Sequence, residues 1–280
     1  MNNRLKQRYS YVSLTGLMIM KGSTHLLLSL ATALLVASPF VLQITTLNRI
    51  IAVILFFLGV FVGALTPDID KGTEAAIYHS SIPGAKGKRF FLTPVFGFII
   101  NRLCYRPVRA VFHLFFGDKI YAKQGHRELP HSPIGIICIS AMLTLWIELV
   151  CFGLSFIPAL AGIRFHPFII FFGLSFLFGC LLHLVEDTCD NSGVHYLYPF
   201  IFRRLRGKLK GDGTDVRPRV YGVILLLAAI AVFIVFFLKV LPFTCMYAAA
   251  AGLGVSAVLW IIFLLCSGVP AKKSAVQKFK

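Results

Sequence analysis

The stretch PFIIFFGLSFLFGCLLHLVED, from Pro167 to Asp187, decides how this chain folds. Sixteen residues pass before the first polar ring, His183, and the run is long enough for a helix to cross a bilayer. His183 and Asp187 stand four residues apart, so they share one face of that helix. Ionisable groups at the edge of a membrane helix are costly and need a reason. An imidazole and a carboxylate on one helical turn form a metal-ligand arrangement. Whether they act as one depends on what the rest of the chain brings to the same level.

Working outward, the whole chain shares this character. Of its 280 residues, 58% are hydrophobic and 14% charged, where a soluble domain carries roughly a quarter charged residues. The apolar residues fall into six windows of span length, at about 26–44, 50–66, 133–157, 167–186, 221–241 and 244–266. The expected fold is an all-α, polytopic membrane helical bundle of about six transmembrane helices, with interfacial helices between spans two and three. Residues 1–20 do not have the form of a cleaved signal peptide, and translation starting at Met18 or Met20 is an open alternative.

The basic residues set the expected orientation. Twenty-five of the 28 Lys and Arg fall in the N-terminal segment, in 67–132, in 187–220 and in the tail; Arg49, Arg164 and Lys239 are the exceptions. The excess of Lys and Arg marks the cytoplasmic side, so both termini are expected there. This topology accounts for the net charge of +17 without a nucleic-acid partner. Cytosolic Cys104 and Cys189 are not expected to form a disulfide. The cysteines read as small apolar residues, with Cys189 close to the proposed site.

Between spans two and three, Arg102, Arg106, Arg109 and His113 repeat at spacings of four, three and four, with phenylalanines on other faces. This predicts one or two helices in the cytoplasmic interface, kinked or broken at Pro107. The plainer reading is an anchor on an anionic lipid surface. The sharper one is a lid or lipid-entry surface beside a site. The segment 203–219 reads as a solvated, Gly-rich basic loop.

Four polar clusters fall at span ends that this topology brings to one layer. They are Thr24-His25, Thr66-Pro67-Asp68-Ile69-Asp70, the run His126 to Pro133, and His183 with Glu186, Asp187 and Asp190. Each has an ordinary reading alone: an interfacial His25, an Asx turn after Pro67, loop histidines, a helix-end pair of His183 and Asp187. One metal site explains all four together. Ser132-Pro133 forms an N-cap and N1 pair, which places His131 just before the third span. Asp190, Glu128 and Glu186 are candidates to orient a ligand histidine. Arg127 is a candidate phosphate contact. Imidazoles and carboxylates suit zinc, manganese or iron, and more than four ligands suggest more than one ion. Glu148, beside Trp146, is expected to snorkel to the far interface. His195 lies near enough to the site to be a weaker candidate.

These motifs resemble those of the YdjM-like, membrane-bound metal-dependent hydrolases. The matching pieces are Thr24-His25, Pro67-Asp68-Ile69-Asp70, His126-Arg127 with His131-Ser132, and His183 with Asp187-Thr188, followed by Gly193 and Pro199. They occur in the family's order across most of residues 20–200; Pro130 stands where the family usually has Thr. That family is distantly similar to zinc-dependent phospholipase C and P1-type nucleases. The resemblance implies a site of His25, Asp68, Asp70, His126, His131, His183 and Asp187 holding one to three divalent ions, with zinc foremost and manganese or iron as alternatives. Asp68, His131 and Asp187 are the expected catalytic residues. It also implies hydrolysis of a phosphoester, a membrane lipid or a small molecule, by metal-activated water. On this reading the chain divides into an N-terminal extension 1–20, a hydrolase-like membrane domain 21–220 with an interfacial insert at about 71–125, two C-terminal transmembrane helices within 221–266, and a basic tail 267–280. The competing expectation is a non-enzymatic membrane protein with a structural metal or a partner site. A transporter ranks third, because transport sites lie near mid-membrane.

Overall fold

The computed structural model describes residues 22–78, 92–117, 129–160, 162–201, 203–210, 214–240 and 244–270. The proposed N-terminal extension, His79, His126, Arg127, Glu128 and the lysines of the tail lie outside these residues. Within them the chain is helical: α1 (Gly22–Ala37), α2 (Leu47–Leu65), α3 (Leu92–Ile99), α4 (Arg106–Phe116), α5 (Pro133–Leu154), α6 (His166–Cys189), α7 (Arg217–Phe237) and α8 (Cys245–Cys266). Six runs are long and apolar enough to cross a membrane: Gly22–Gln43, Leu47–Lys71, Pro133–Leu154, His166–Cys189, Arg217–Phe237 and Met246–Cys266. The six expected spans are therefore present, with ends shifted by a few residues. The fifth helix begins sooner than its apolar run, because Pro218 occupies the first turn of α7 and Asp215 accepts a hydrogen bond from the Arg217 N–H.

The first, second and fourth spans form the centre, with 56%, 44% and 56% of their apolar windows buried, against 28%, 28% and 22% for the others. The α2–α6 contact explains why. Gly59 and Gly63 on α2 face Ser175 and Gly179 on α6, a small-xxx-small pairing that lets backbones meet in a bilayer. A Cβ on Gly63 would lie 2.2 Å from the Phe176 carbonyl oxygen, and one on Gly179 would lie 2.4 Å from that of Val60. On one side of this pair, α5 and the insert close an apolar core through Ile100, Cys104, Ile136, Ile139 and Phe176. On the other, α1, α7 and α8 close a second core through Leu28, Leu35, Tyr221, Leu225 and Phe263. Tyr221 stacks on Phe263 at 4.1 Å, and Trp260 donates its indole N–H to Thr32 Oγ1 at 3.2 Å.

The structure sharpens three sequence expectations here. Of the one or two helices expected in the insert, the described residues 92–116 form one helical run, from α3 through a π-helical turn (Ile100–Tyr105) into α4, unbroken at Pro107. Proline has no N–H and crowds the carbonyl four residues back, that of Leu103. The Trp146 indole donates to this oxygen at 3.0 Å, tying the insert to α5. Ile100, Cys104 and Val108 face the core, while Arg102, Arg106, Arg109 and His113 lie exposed on another face. The segment 203–219 is largely exposed over its described part, as expected, but its backbone is paired to the chain at and after the end of α6. Gly207 N–H donates to Asp190 O, Leu209 N–H to Cys189 O, and Val194 exchanges both backbone bonds with Leu205. These strand-like bridges satisfy carbonyls left open at the end of α6. Gly207 permits them, since a Cβ there would lie 2.2 Å from Cys189 O. At the far end, the Glu148 carboxylate accepts from His166 Nδ1 at 2.5 Å.

Gly63→Val should force α2 and α6 apart and destabilise the protein by about 1–3 kcal/mol or more. Gly254→Val, at a helical position with open space around it, should change little. Thermal unfolding in detergent separates the two.

Candidate metal centre

Four segments deliver the polar side chains, each for a local reason. His25 sits in the first turn of α1. Pro67 ends α2 and turns the chain into a 3-10 segment, Pro67–Glu74, that carries Asp68 and Asp70. Ser132 caps α5: its Oγ accepts from the Gly135 N–H at 3.1 Å and donates to Leu129 O at 2.8 Å. That pins the short 3-10 turn Leu129–His131 against the helix start, as the Ser-Pro pair predicts. Gly135 makes the fit possible, because a Cβ there would sit 1.8 Å from Leu129 O. His183 and Asp187 occupy the last turns of α6.

The five side chains His25, Asp68, His131, His183 and Asp187 meet in one buried cluster. Asp187 Oδ2 lies 3.3 Å from His131 Nε2 and 3.4 Å from His183 Nε2, and its Oδ1 lies 3.6 Å from His25 Nε2. Asp68 Oδ1 lies 3.4 Å from His131 Nε2 and 3.8 Å from His183 Nε2. The His25 and His183 rings stack at 4.0 Å, and His131 meets His183 edge-on at 5.4 Å. Two overlapping triplets, His25–His183–Asp187 and Asp68–His131–His183, bring their donor atoms close enough to hold an ion.

The remaining ring nitrogens show which way the lone pairs point. His183 Nδ1 lies 2.6 Å from the carbonyl oxygen of Ala64. A carbonyl only accepts, so Nδ1 carries the proton and Nε2 presents a lone pair to the cluster. His25 Nδ1 lies 2.5 Å from Glu186 Oε2, and Ser29 Oγ donates to Glu186 Oε1 at 2.8 Å; an ionised Glu186 takes the Nδ1 proton in a hydrogen bond and turns the Nε2 lone pair inward. Glu186 thus holds the His25 ring, as the sequence reading anticipates for it. The Nε2 atoms of both rings are buried and have no hydrogen-bond partner among the described residues. Histidines that ligate metals are fixed in this way through their other nitrogen. Two lone pairs aimed at carboxylate oxygens in a dry interior repel unless a cation lies between them.

The spacing agrees. Ligand atoms about 2.0–2.1 Å from a tetrahedral ion stand about 3.3–3.4 Å from one another. The N···O separations of 3.3–3.8 Å in the cluster match that edge better than they match direct hydrogen bonds. The residues present therefore fit a divalent ion with N and O ligands. Asp70 is more peripheral: its Oδ2 lies 3.6 Å from His131 Nδ1, at 11% exposure. Burial works to lower the pKa of His131, but the charges and hydrogen bonds of Asp70, Asp68 and Asp187 outweigh it and push the group up to about 9.

Three contributors escaped the sequence reading. Lys71 Nζ lies 2.6 Å from Asp68 Oδ1, the oxygen that also faces His131 and His183. Its position three residues after Asp68 was the available signal. Ser29, one turn beyond His25, was legible in the same way. The Ala64 carbonyl had no side-chain signal at all. Cys189 Sγ donates back to Val185 O at 3.5 Å, along its own helix. Asp190 accepts from the Asn191 N–H and Ser192 Oγ, bracing the chain after α6. His195 Nε2 accepts from Arg204 Nε at 2.7 Å. Burial, then the Arg204 charge, lowers His195 from its ordinary value of 6.5 to about 4.

Fold and site together define an integral membrane protein with a buried His/Asp centre able to hold a metal ion. The pattern describing the YdjM inner membrane protein matches residues 20–273, and the chain belongs to that family. No curated protein and no solved structure matches the chain.

Two outcomes follow. Because folding keeps His195 neutral, its contribution to stability is fully present above pH 6.5 and is lost as the pH falls from 6.5 toward about 4. His195→Gln should flatten that part of the stability–pH curve relative to wild type, as read by unfolding at stepped pH. Lys71→Met removes a positive charge that shares Asp68 Oδ1 with the ion site. It should tighten zinc binding about tenfold, measured by competition with a chromophoric chelator.

Proposed function

We propose that this protein is a metal-dependent hydrolase of the membrane, with its centre at the cytoplasmic side, acting on a phosphoester such as a phospholipid. The observation that carries the reading is the pair of buried Nε2 atoms of His25 and His183, without a hydrogen bond among the described residues. Both are fixed from behind by Glu186 and Ala64 and aimed at Asp187, with Asp68 also opposite His183. The donor set suits zinc, with manganese or iron as alternatives. The orientation is supported by the Lys and Arg excess in the segments at the centre's end of the bundle.

A divalent ion held by His25, His183, Asp187, Asp68 and His131 would supply Lewis acidity and lower the pKa of a coordinated water. His183 offers one lone pair, so the two triplets cannot each claim it. Two ions would need Asp68 or Asp187 to use both oxygens. Asp70 Oδ2 faces His131 Nδ1, which leaves His131 Nε2 turned toward Asp68 and Asp187 as the nitrogen that would meet the ion. Lys71 enters from the rim, at 18% exposure, and its ammonium can meet a phosphate oxygen.

Complete burial of His25, His131, His183 and Asp187 favours a second reading, in which the ion is structural and ties α1, α2, α5 and α6 together. Elemental analysis of detergent-purified wild type beside a His183→Ala/Asp187→Asn variant tests both. The hydrolase reading expects bound metal and turnover of a phosphoester in wild type, and loss of both in the variant. Metal-free wild type with full activity would sink it. Bound metal with no hydrolysis over a broad phosphoester panel, and a lowered unfolding temperature in the variant, would favour the structural ion.

A further inference from the structure

The end of the bundle opposite the metal centre contains a cleft of about 430 Å³. It lies between the end of the first span and the first half of α2, with Phe171 of α6 as its far wall. Leu34, Phe40, Val53, Phe56 and Phe171 are among its apolar lining, and Gln43 and Arg49 are its polar residues. Leu34, Val41 and Phe171 are each about two-fifths exposed, so the cleft opens sideways, onto the surface that the bundle turns to lipid. Its volume is within the range of small-molecule sites. Leu34 stands nine residues beyond His25 on the same helix, about 14 Å along the axis, so the cleft is separate from the metal centre.

Arg49 gives the cleft a direction. Its Nη1 donates to Gln43 O at 2.6 Å and to Thr45 Oγ1 at 3.3 Å, which fixes the guanidinium near the mouth. Nε and Nη2 make no hydrogen bond among the described residues, and no carboxylate lines the cleft. Arg49 is also one of only three basic residues at this end of the spans in the sequence-derived topology. A fixed cation with two free donors suits a phosphate diester, and the apolar slot beneath it suits a hydrocarbon chain. We propose that the cleft binds one anionic phospholipid of the surrounding bilayer, with an acyl chain against Phe56 and Phe171 and the phosphate on Arg49.

The test uses the full chain in nanodiscs of equal phosphatidylglycerol and phosphatidylcholine, released into mild detergent for native mass spectrometry. Wild type should retain one lipid, enriched about fivefold in phosphatidylglycerol, as one arginine at a membrane surface provides. Arg49→Gln should keep the lipid and bring the enrichment close to parity. Val53→Trp, or the gentler Ala52→Leu, should fill the slot and remove the retained lipid. Size-exclusion profile and unfolding temperature check that each variant is folded. Wild type with no retained lipid would overturn the proposal. So would retention unchanged in both filled variants, equal retention of the two lipids by wild type, or occupancy of the cleft by a second copy of the chain.

Discussion

The Ala64 carbonyl and the His183 imidazole meet at 2.6 Å because two helix backbones touch. Gly63 and Gly179 make that touch possible, one on each helix, and neither position has room for a Cβ. In lipid there is no hydrophobic force to draw helices together, so small residues and close packing carry the association. The same contact sets the rotation of the His183 ring, and the ring sets where a cation can sit. Ala64 is free to accept because it lies in the last turn of α2, where helix carbonyls lose their donors, and Pro67 prevents the helix from continuing. One packing event therefore fixes a helix pair, a tautomer and a ligand direction.

Around that point the protein gathers charge in a place that otherwise disfavours it. Asp68, Asp187 and Glu186 are all buried, within a bundle whose flanking residues are apolar. Asp68 has Lys71 beside it, and Glu186 has Ser29 and His25, whereas Asp187 faces the Nε2 atoms of three imidazoles. Such a cluster is stable only when its members are satisfied together, since each unpaired member would be a buried charge or lone pair. The fit to an ion and the presence of Lys71 are two answers to the same electrostatic demand. Lys71 meets it at the rim, from solvent-accessible chain, and an ion would meet it at the centre.

Much of the fold was legible because a bilayer leaves few choices. Length and hydropathy located the six spans, and Ser132-Pro133 located the start of α5. The missed features share a cause. The tie between Trp146 and Leu103 depends on a carbonyl that Pro107 frees, and nothing in the sequence says which donor will find it. The stretch around Gly207 reads as polar and flexible, yet it folds onto α6 because open carbonyls at Asp190 and Cys189 need donors. Glu148 and His166 find each other across eighteen residues of chain at the opposite end. Each is a backbone or long-range pairing, and hydropathy carries no record of either.

The site divides along the same line. The sequence by itself determined that His25, Asp68, Asp70, His131, His183 and Asp187 stand at span ends, because apolar runs of bilayer length leave polar residues nowhere else to go. It also marked Glu186 as a residue able to orient a ligand. Only the tertiary structure decided that five of these side chains point at one spot, with Asp70 behind His131 and with Lys71, Ser29 and Ala64 as partners. The reason is geometric. Span ends define a layer, and a layer is two-dimensional; convergence to a point requires the rotation of each helix about its axis. Contacts between helices far apart in sequence set that rotation, and here the glycine seam between α2 and α6 sets it for His183.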